Sequence, residues 1–487
     1  MKNTLGKPAR TDLADIIKNS TRIHFVCLLL LGLLASPWSA AARQFLPTRI
    51  SNVTTNLPVL RHSSRWNRLH LSIALPLRDR AGLTNLLQQL YDPSSANYHQ
   101  FLTPAQFAAR FGPTGSDYES VTKFAKSHGL IVTGRHSNRA LLSVEGTVAD
   151  IERAFHVSIN QYQDPKSSRT FYAPNTAPSL DLDVPVLAVS GLDNYFFPHP
   201  CLRPIPAEQT KPNLTGSGPN GGYLGNDFRA AYIPGSPVTG TGQTVGLLEF
   251  DSGYYQSDIT AYEKLAGLPN VPVSAVLLDG YNGAAGGGND EVSLDIEMAV
   301  SMAPGLKQVL VYEGSSTDDI LNRMATDDVA KQIGASWTYP TDAGSDQAFL
   351  QFAAQGQSFF NASGDSDAYN GTISTPADDP NITVVGGTTL TTTGPGGAWE
   401  SETVWNWGGG IGSSGGISTV IPIPTWQQGI NMTVNQGSTT RRNLPDVAMT
   451  ADNVYVIYGN GHAGAFGGTS CATPLWAGLP RSLTKWP

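Results

Sequence analysis

Histidine is nearly absent from one half of this chain: of nine in 487 residues, eight lie at or before His199, and only His462 follows. Any site built in the C-terminal half therefore has to take its acid–base groups from elsewhere. Cysteine is equally sparse, with Cys27, Cys201 and Cys471 the full set, so no disulfide framework is available. Charged residues make up only 14% of the chain, and 31 Lys and Arg against 39 Asp and Glu leave a net charge of −8. That balance offers no basic patch for nucleic acid. The longest apolar run, Phe25–Ala35, is too short for a comfortable membrane span, so no stable membrane association is expected. No internal repeat is evident.

What the chain has in quantity is glycine, 51 residues, and proline, 33, which make it loop-rich. Its length allows two or three domains. Lys2, Lys7, Arg10, Lys18 and Arg22 precede the Phe25–Ala35 run, and Ala40-Ala41-Ala42 follows it. A charged segment, a short apolar segment and a small-residue site predict a signal peptide over 1–42 and a secreted, extracellular product. Residues 44–198 read as a separate α+β module, with strands at Leu69–Leu75 and Ala140–Gly146 and helices at Ala81–Tyr91, Tyr118–His128 and Val148–Phe155. Residues 199–221 are rich in Pro, Asn and Gly and predict an exposed linker open to proteolysis. From 222 to 487, apolar strands alternate with helical patterns, the signature of an α/β domain with a largely parallel sheet and flanking helices. The Gly-rich stretch 394–416 is expected to be a mobile surface loop near the cleft. Sequons occur at Asn213 and Asn431.

Within that α/β region, Gly467-Gly468-Thr469-Ser470-Cys471-Ala472-Thr473-Pro474 places a serine where a tight glycine turn meets a helix. The glycines allow a sharp turn and close approach of a substrate. Pro474, lacking an N–H, suits the first turn of that helix. The Ser470 N–H would then be among the unpaired donors of a helix start, aimed where an oxyanion could be held. A nucleophilic serine needs a base. His462 is eight residues away on a predicted hairpin whose turn is Asn460-Gly461, and it reads as a solvated turn residue. The other source is Asn289–Ala299, where Glu291 and Asp295 stand four apart on one helix face, close enough to share a proton, while Glu297 points elsewhere. An acidic first turn favouring the helix dipole is the plainer account. Two like charges with no basic partner argue for a task.

Together these segments resemble the sedolisin family of serine-carboxyl peptidases, including kumamolisin-like enzymes, which share the subtilisin fold but replace histidine by glutamate. The resemblance implies Ser470 as nucleophile, Glu291 as general base and Asp295 as the acid that orients it. It implies Asp365, in Asn361-Ala362-Ser363-Gly364-Asp365-Ser366, as the oxyanion residue. Glu249, ending Val245–Glu249, and Trp337, in Gly334-Ala335-Ser336-Trp337, match positions that extend the carboxyl network. Residues 44–198 resemble the pro-kumamolisin activation domain, Tyr98–Phe107 most of all, which implies an internal inhibitor removed in maturation. A carboxyl base near its ordinary pKa of about 4.3 works best in acid. An Asp365 that donates to an oxyanion must keep its proton. Peptide or protein substrates and a monomer are expected.

The family continues for several dozen residues beyond the point corresponding to Pro487, where this chain stops 17 residues after Ser470. By resemblance, that further segment carries the family's calcium site, which would then lie beyond Pro487. No calcium is therefore expected for this chain, and no metal ligand is assigned within it. Pro480 is expected to break the serine helix ten residues past Ser470. The competing expectation is a catalytically inactive relic or peptide-binding protein that keeps the fold.

Overall fold

The computed structural model describes Met1 and residues 43–47, 51–205, 215–250 and 252–479. The signal-peptide segment with Cys27, the Asn213 sequon, and the tail from Pro480 to Pro487 lie outside the described residues. The N-terminal module carries an antiparallel sheet ordered β2-β3-β1-β4, from β1 (Arg68–Ala74), β2 (Ile131–Arg135), β3 (Leu141–Thr147) and β4 (Ala188–Ser190). Its helices are α1 (Arg80–Tyr91), α2 (Pro104–Arg110), α3 (Gly115–Ser127) and α4 (Val148–Phe155). Asp79, Thr103, Thr114 and Thr147 each cap one of them with a side-chain oxygen, satisfying a backbone donor the helix start leaves open. In the Tyr98–Phe107 run, Thr103 and Gln106 cap each other reciprocally and Pro104 begins the helix. This explains locally why that stretch has its composition.

The C-terminal region is a three-layer α/β structure. Its sheet is ordered β6-β7-β5-β8-β9-β10-β11, from β5 (Thr244–Phe250), β6 (Val273–Leu277), β7 (Gln308–Gly314), β8 (Gln332–Ala335), β9 (Ser358–Ala362), β10 (Thr383–Thr392) and β11 (Trp399–Val404), with β12 (Val447–Thr450) also paired to β10. Every pairing is parallel except β10 with β11. All seven residues of β5 are buried, as expected for a parallel strand covered on both faces. Four helices matter below: α5 (Asn289–Met302), α6 (Thr317–Asp327), α7 (Ala343–Gln355) and α8 (Thr469–Gly478). Helix α5 is buried at every position but Asp290, so it runs through the core rather than along its surface.

Two local expectations are corrected. Residues 394–416 are not an open loop: they contain β11 and the strands Asn406–Gly408 and Ile411–Pro422, joined through Gly408, Gly409 and Gly410 at positive φ. The glycines make a hairpin turn. Pro474 lies inside α8 rather than in its first turn. Lacking an N–H, it leaves the Ser470 carbonyl without its usual helix partner four residues on.

The two regions share a seam. Leu350 and Ala354 of α7 enter one buried apolar cluster with Leu83, Leu90, Phe107 and Phe111. Leu102 N–H donates to the Ala354 carbonyl at 2.9 Å, and a Cβ at Gly356 would stand 2.5 Å from the Phe101 ring. The Tyr98–Phe107 stretch thus docks on α7.

Candidate active site

The carboxyl ends of parallel strands open onto the crevice where α/β folds place their ligands, and the predicted residues gather there. Glu249 is the last residue but one of β5, Ser336 and Trp337 follow β8, and Asp365 follows β9, while the starts of α5 and α8 bring Glu291 and Ser470. Glu249, Glu291, Asp295 and Ser470 have no exposed surface at all. Trp337 Nε1 donates to Glu249 Oε2 at 2.9 Å. Ser336 Oγ donates to Asp295 Oδ1 at 2.7 Å. Glu297 is turned away, accepting from the Ile457 N–H.

The contact between Glu291 and Asp295 differs from expectation. Neither Glu291 oxygen accepts a hydrogen bond, and Asp295 accepts from Ser336 at one oxygen while the other has no partner. The i,i+4 spacing brings the pair near enough to repel, not to bond. Ser470 Oγ, in turn, donates to the Ser336 carbonyl at 3.0 Å. Burial first, then the charges of Asp295 and Glu249, push Glu291 well above the usual carboxylate range, while the nearby Ser470 hydroxyl pulls it the other way. Burial likewise raises Glu249, and lifts Asp295 to about 8. The ordinary Glu pKa expected from sequence does not hold in this filled, dry cleft.

Asp365 is held by its neighbour. Thr469 N–H and Thr469 Oγ1 both donate to Asp365 Oδ1 at 2.9 Å, and Asp365 Oδ2 has no partner. Burial raises this carboxyl to about 6, against the lowering effect of the Thr469 bonds. Gly468 precedes Thr469 at φ +133, and a Cβ there would lie 3.0 Å from Asp365 Oδ2 and 2.2 Å from the Cys201 carbonyl oxygen. Only glycine fits.

Residues 199–205 are not a free linker: they are paired along the cleft, with Cys201 buried while His199, Pro200, Arg203 and Pro204 stay exposed. His199–Pro200 pairs antiparallel with Trp337–Thr338, and Arg203–Pro204 pairs antiparallel with Phe466–Gly467. Between them Cys201 N–H donates to the Ser336 carbonyl at 3.0 Å, and Ser470 N–H donates to the Cys201 carbonyl at 3.0 Å. Cys201 and Cys471 are both free and buried, and burial pushes each thiol well up, which suits a structural rather than a nucleophilic cysteine. His462 is exposed on its hairpin, Val454–Tyr458 with His462–Gly467. The reading of the residues alone passed over Ser336 and Thr469. Each directly precedes a named residue, but nothing in its own type marks it.

Among the described residues, one group of three could hold a metal ion, His70, Asp279 and Asp319, and it lies at the seam, far from Pro487 in sequence and away from the cleft. There His70 Nε2 stands 2.8 Å from Asp319 Oδ2 and 3.2 Å from Asp279 Oδ1, and His136 Nε2 is 3.6 Å from Asp319 Oδ1. Docking of the two regions, not any short-range spacing, makes this group. No helix among the described residues is long and apolar enough to cross a membrane.

Residues 61–195 match the family described as Pro-kumamolisin, activation domain. The chain is 31% identical to sedolisin of Pseudomonas sp. (strain 101), over 84% of this chain and 75% of that one. It is 32% identical to kumamolisin of Bacillus sp. (strain MN-32), over 78% and 73%. Against xanthomonalisin of Xanthomonas sp. (strain T-22) the identity is 32%, over 84% of this chain and only 57% of that one. A solved structure of Pseudomonas sedolisin, a serine-carboxyl proteinase, complexed with two molecules of pseudo-iodotyrostatin, is 29% identical, with a TM-score of 0.47 over 56% of this chain and 82% of that one.

Proposed function

This chain belongs to the sedolisin family of serine-carboxyl peptidases, and from that premise we propose that it is a secreted, acid-acting endopeptidase made as a self-processing zymogen. The observation that carries the reading is the group beside the Ser470 hydroxyl: a wholly buried carboxyl, Glu291, with no competing hydrogen bond. In the cycle, Glu291 takes the hydroxyl proton as Ser470 Oγ attacks the peptide carbonyl carbon. The Ser470 N–H and the Asp365 carboxyl hold the oxyanion. Asp295 and Glu249 position and buffer the base, and Trp337 and Ser336 fix those two. Glu291 then returns the proton to the leaving amine, and water releases the acyl group.

Acid action follows from two carboxyls with opposite duties. Asp365 donates only while protonated, so activity is lost as pH rises through about 6. Glu291 accepts only while ionised. Desolvation is the first cause of its raised pKa, and a cleared cleft admits water and brings it down. The activation domain inhibits through the segment that follows it, 199–205, seated in that cleft, and peptides or proteins replace that segment after maturation. The test is peptide hydrolysis against pH with Ser470→Ala and Cys471→Ser. Ser470→Ala should be inert, Cys471→Ser should keep most activity, and the profile should peak in acid. A neutral-to-alkaline optimum, or activity that depends on Cys471 and not Ser470, would overturn the reading.

A further inference from the structure

We infer that the bond cut in maturation is Cys201–Leu202, and that Ser470 of the same chain cuts it. The inference rests on the peptidase reading above and deepens it by naming the first substrate. Four observations agree on the register. Upstream of Cys201 the segment adds as an antiparallel strand to Trp337–Thr338, and downstream it adds to Phe466–Gly467, so both walls of the cleft hold one extended chain by main-chain hydrogen bonds. Cys201 N–H reaches the Ser336 carbonyl, the same atom the Ser470 hydroxyl reaches. The Cys201 carbonyl oxygen takes the Ser470 N–H. That oxygen and the partnerless Asp365 Oδ2 lie within 3.0 Å of a single point, the place a Gly468 Cβ would occupy.

No other described carbonyl of the 199–205 segment receives the Ser470 N–H. The peptide carbonyl polarised by a serine N–H and a carboxylic acid is the one that serine attacks. In the step, a bond forms from Ser470 Oγ to the Cys201 carbonyl carbon as the hydroxyl proton passes to Glu291. The Cys201–Leu202 C–N bond then breaks, and the proton moves from Glu291 to the Leu202 nitrogen. Water hydrolyses the ester, leaving a C-terminal carboxyl on Cys201 and restoring Ser470. A tethered segment already seated in the cleft needs no encounter step. A small ionised fraction of Glu291 is enough for this single turnover.

The full chain, purified as precursor at neutral pH and then acidified, is followed by intact mass and N-terminal sequencing, with hydrolysis of an added peptide measured in parallel. The expected result is a new N-terminus at Leu202, formed at a rate unchanged by a hundredfold dilution. Leu202→Pro should slow that cut at least tenfold, because proline at 202 restricts the backbone of residue 201. Ser470→Ala should stay whole. A chain that hydrolyses the peptide but first appears with any other N-terminus, or whose cut at 202 slows in proportion to dilution, overturns the inference and leaves the peptidase reading standing. A chain inert towards both its own linker and the peptide overturns that reading and the inference with it.

Discussion

The molecule buries two sets of carboxyls, one in the cleft and one at the seam, and treats them oppositely. Glu249, Glu291 and Asp295 have only one another, two hydroxyls and an indole for company, and all three are pushed up. Asp319, just as dry, faces His136 and His70, which draw it down further than burial lifts it. His70, which burial alone would lower, is held up at about 10 by Asp279 and Asp319. Burial sets the penalty for charge, and the partner decides whether the charge is kept. The cleft holds its carboxyls protonated, whereas the seam holds an ion pair.

The comparison breaks most sharply at the base. Glu291→Gln keeps shape and burial but cannot accept the Ser470 proton, so kcat for peptide hydrolysis by the matured enzyme should fall by roughly 10²–10⁴-fold. Steady-state kinetics in acid checks it. A fall of less than about tenfold would move the base to another carboxyl of the cluster.

At the seam, Asp319→Asn removes the negative charge that two histidines face and one of its two acceptor oxygens. Deleting one side of a buried pair costs on the order of 3 kcal/mol, about 150-fold in the affinity of the N-terminal module for the rest. Inhibition of the matured enzyme by the added module should weaken by that order, with kcat unchanged. Unchanged inhibition in the variant would mean the apolar cluster around Phe107 and Leu350 carries the seam alone.

How legible each region was in the sequence follows the same division. The cleft residues Ser470, Glu291 and Asp295 stood out because a glycine turn and an unpaired acidic helix start are local patterns, whereas Asp365 came only from the family resemblance. Their hydrogen bonds were not legible, because Ser336 and Thr469 act through a hydroxyl or carbonyl whose partners are set by strand order. Strand periodicity gave β5 and the parallel sheet, yet the glycines of 394–416 read as a loop, since a turn and a loop have the same composition until pairing is known. The seam was invisible: His70 and Asp319 lie 249 residues apart, and nothing short-range connects them. The 199–205 segment was misread for a related reason. Proline-rich chain with no pattern of its own looks like free linker, and here borrowed strands give it order while its prolines stay exposed.

A pH titration of stability sharpens the contrast. The cleft carboxyls have raised pKa values in the fold, so the stability tied to their protons is complete below about 4 and is lost as pH rises through about 6 for Asp365 and about 8 for Asp295. His70, also raised, contributes fully below about 6.5 and loses that contribution as pH rises through about 10. Asp319 is depressed, so its share is present above about 4 and fails only as pH falls through its lowered value. The Ser470→Ala precursor should therefore melt highest in mild acid and decline in two stages towards pH 10.5. Asp279→Asn combined with Asp319→Asn should remove the upper stage, since both carboxylates hold His70 up. A melting temperature that peaks above neutrality would contradict both assignments.

The smallest effect tests a backbone detail that joins the two halves of the site. Pro474 denies the Ser470 carbonyl its helix partner, and the nearest substitute, Ser336 Oγ, is 3.5 Å away. That hydroxyl has one proton, and Asp295 Oδ1 at 2.7 Å takes it. The Ser336 hydroxyl thus offers the carbonyl little in place of the N–H that Pro474 lacks. Pro474→Ala supplies an N–H four residues on and should stabilise the Ser470→Ala precursor by about 1 kcal/mol, read as a small rise in melting temperature. In the active chain, hydrolysis should stay within about twofold, because Ser336 remains committed to Asp295. A tenfold loss would instead mean that the Ser470 carbonyl sets the pitch of the first turn of α8, and with it the aim of the Ser470 N–H at the oxyanion.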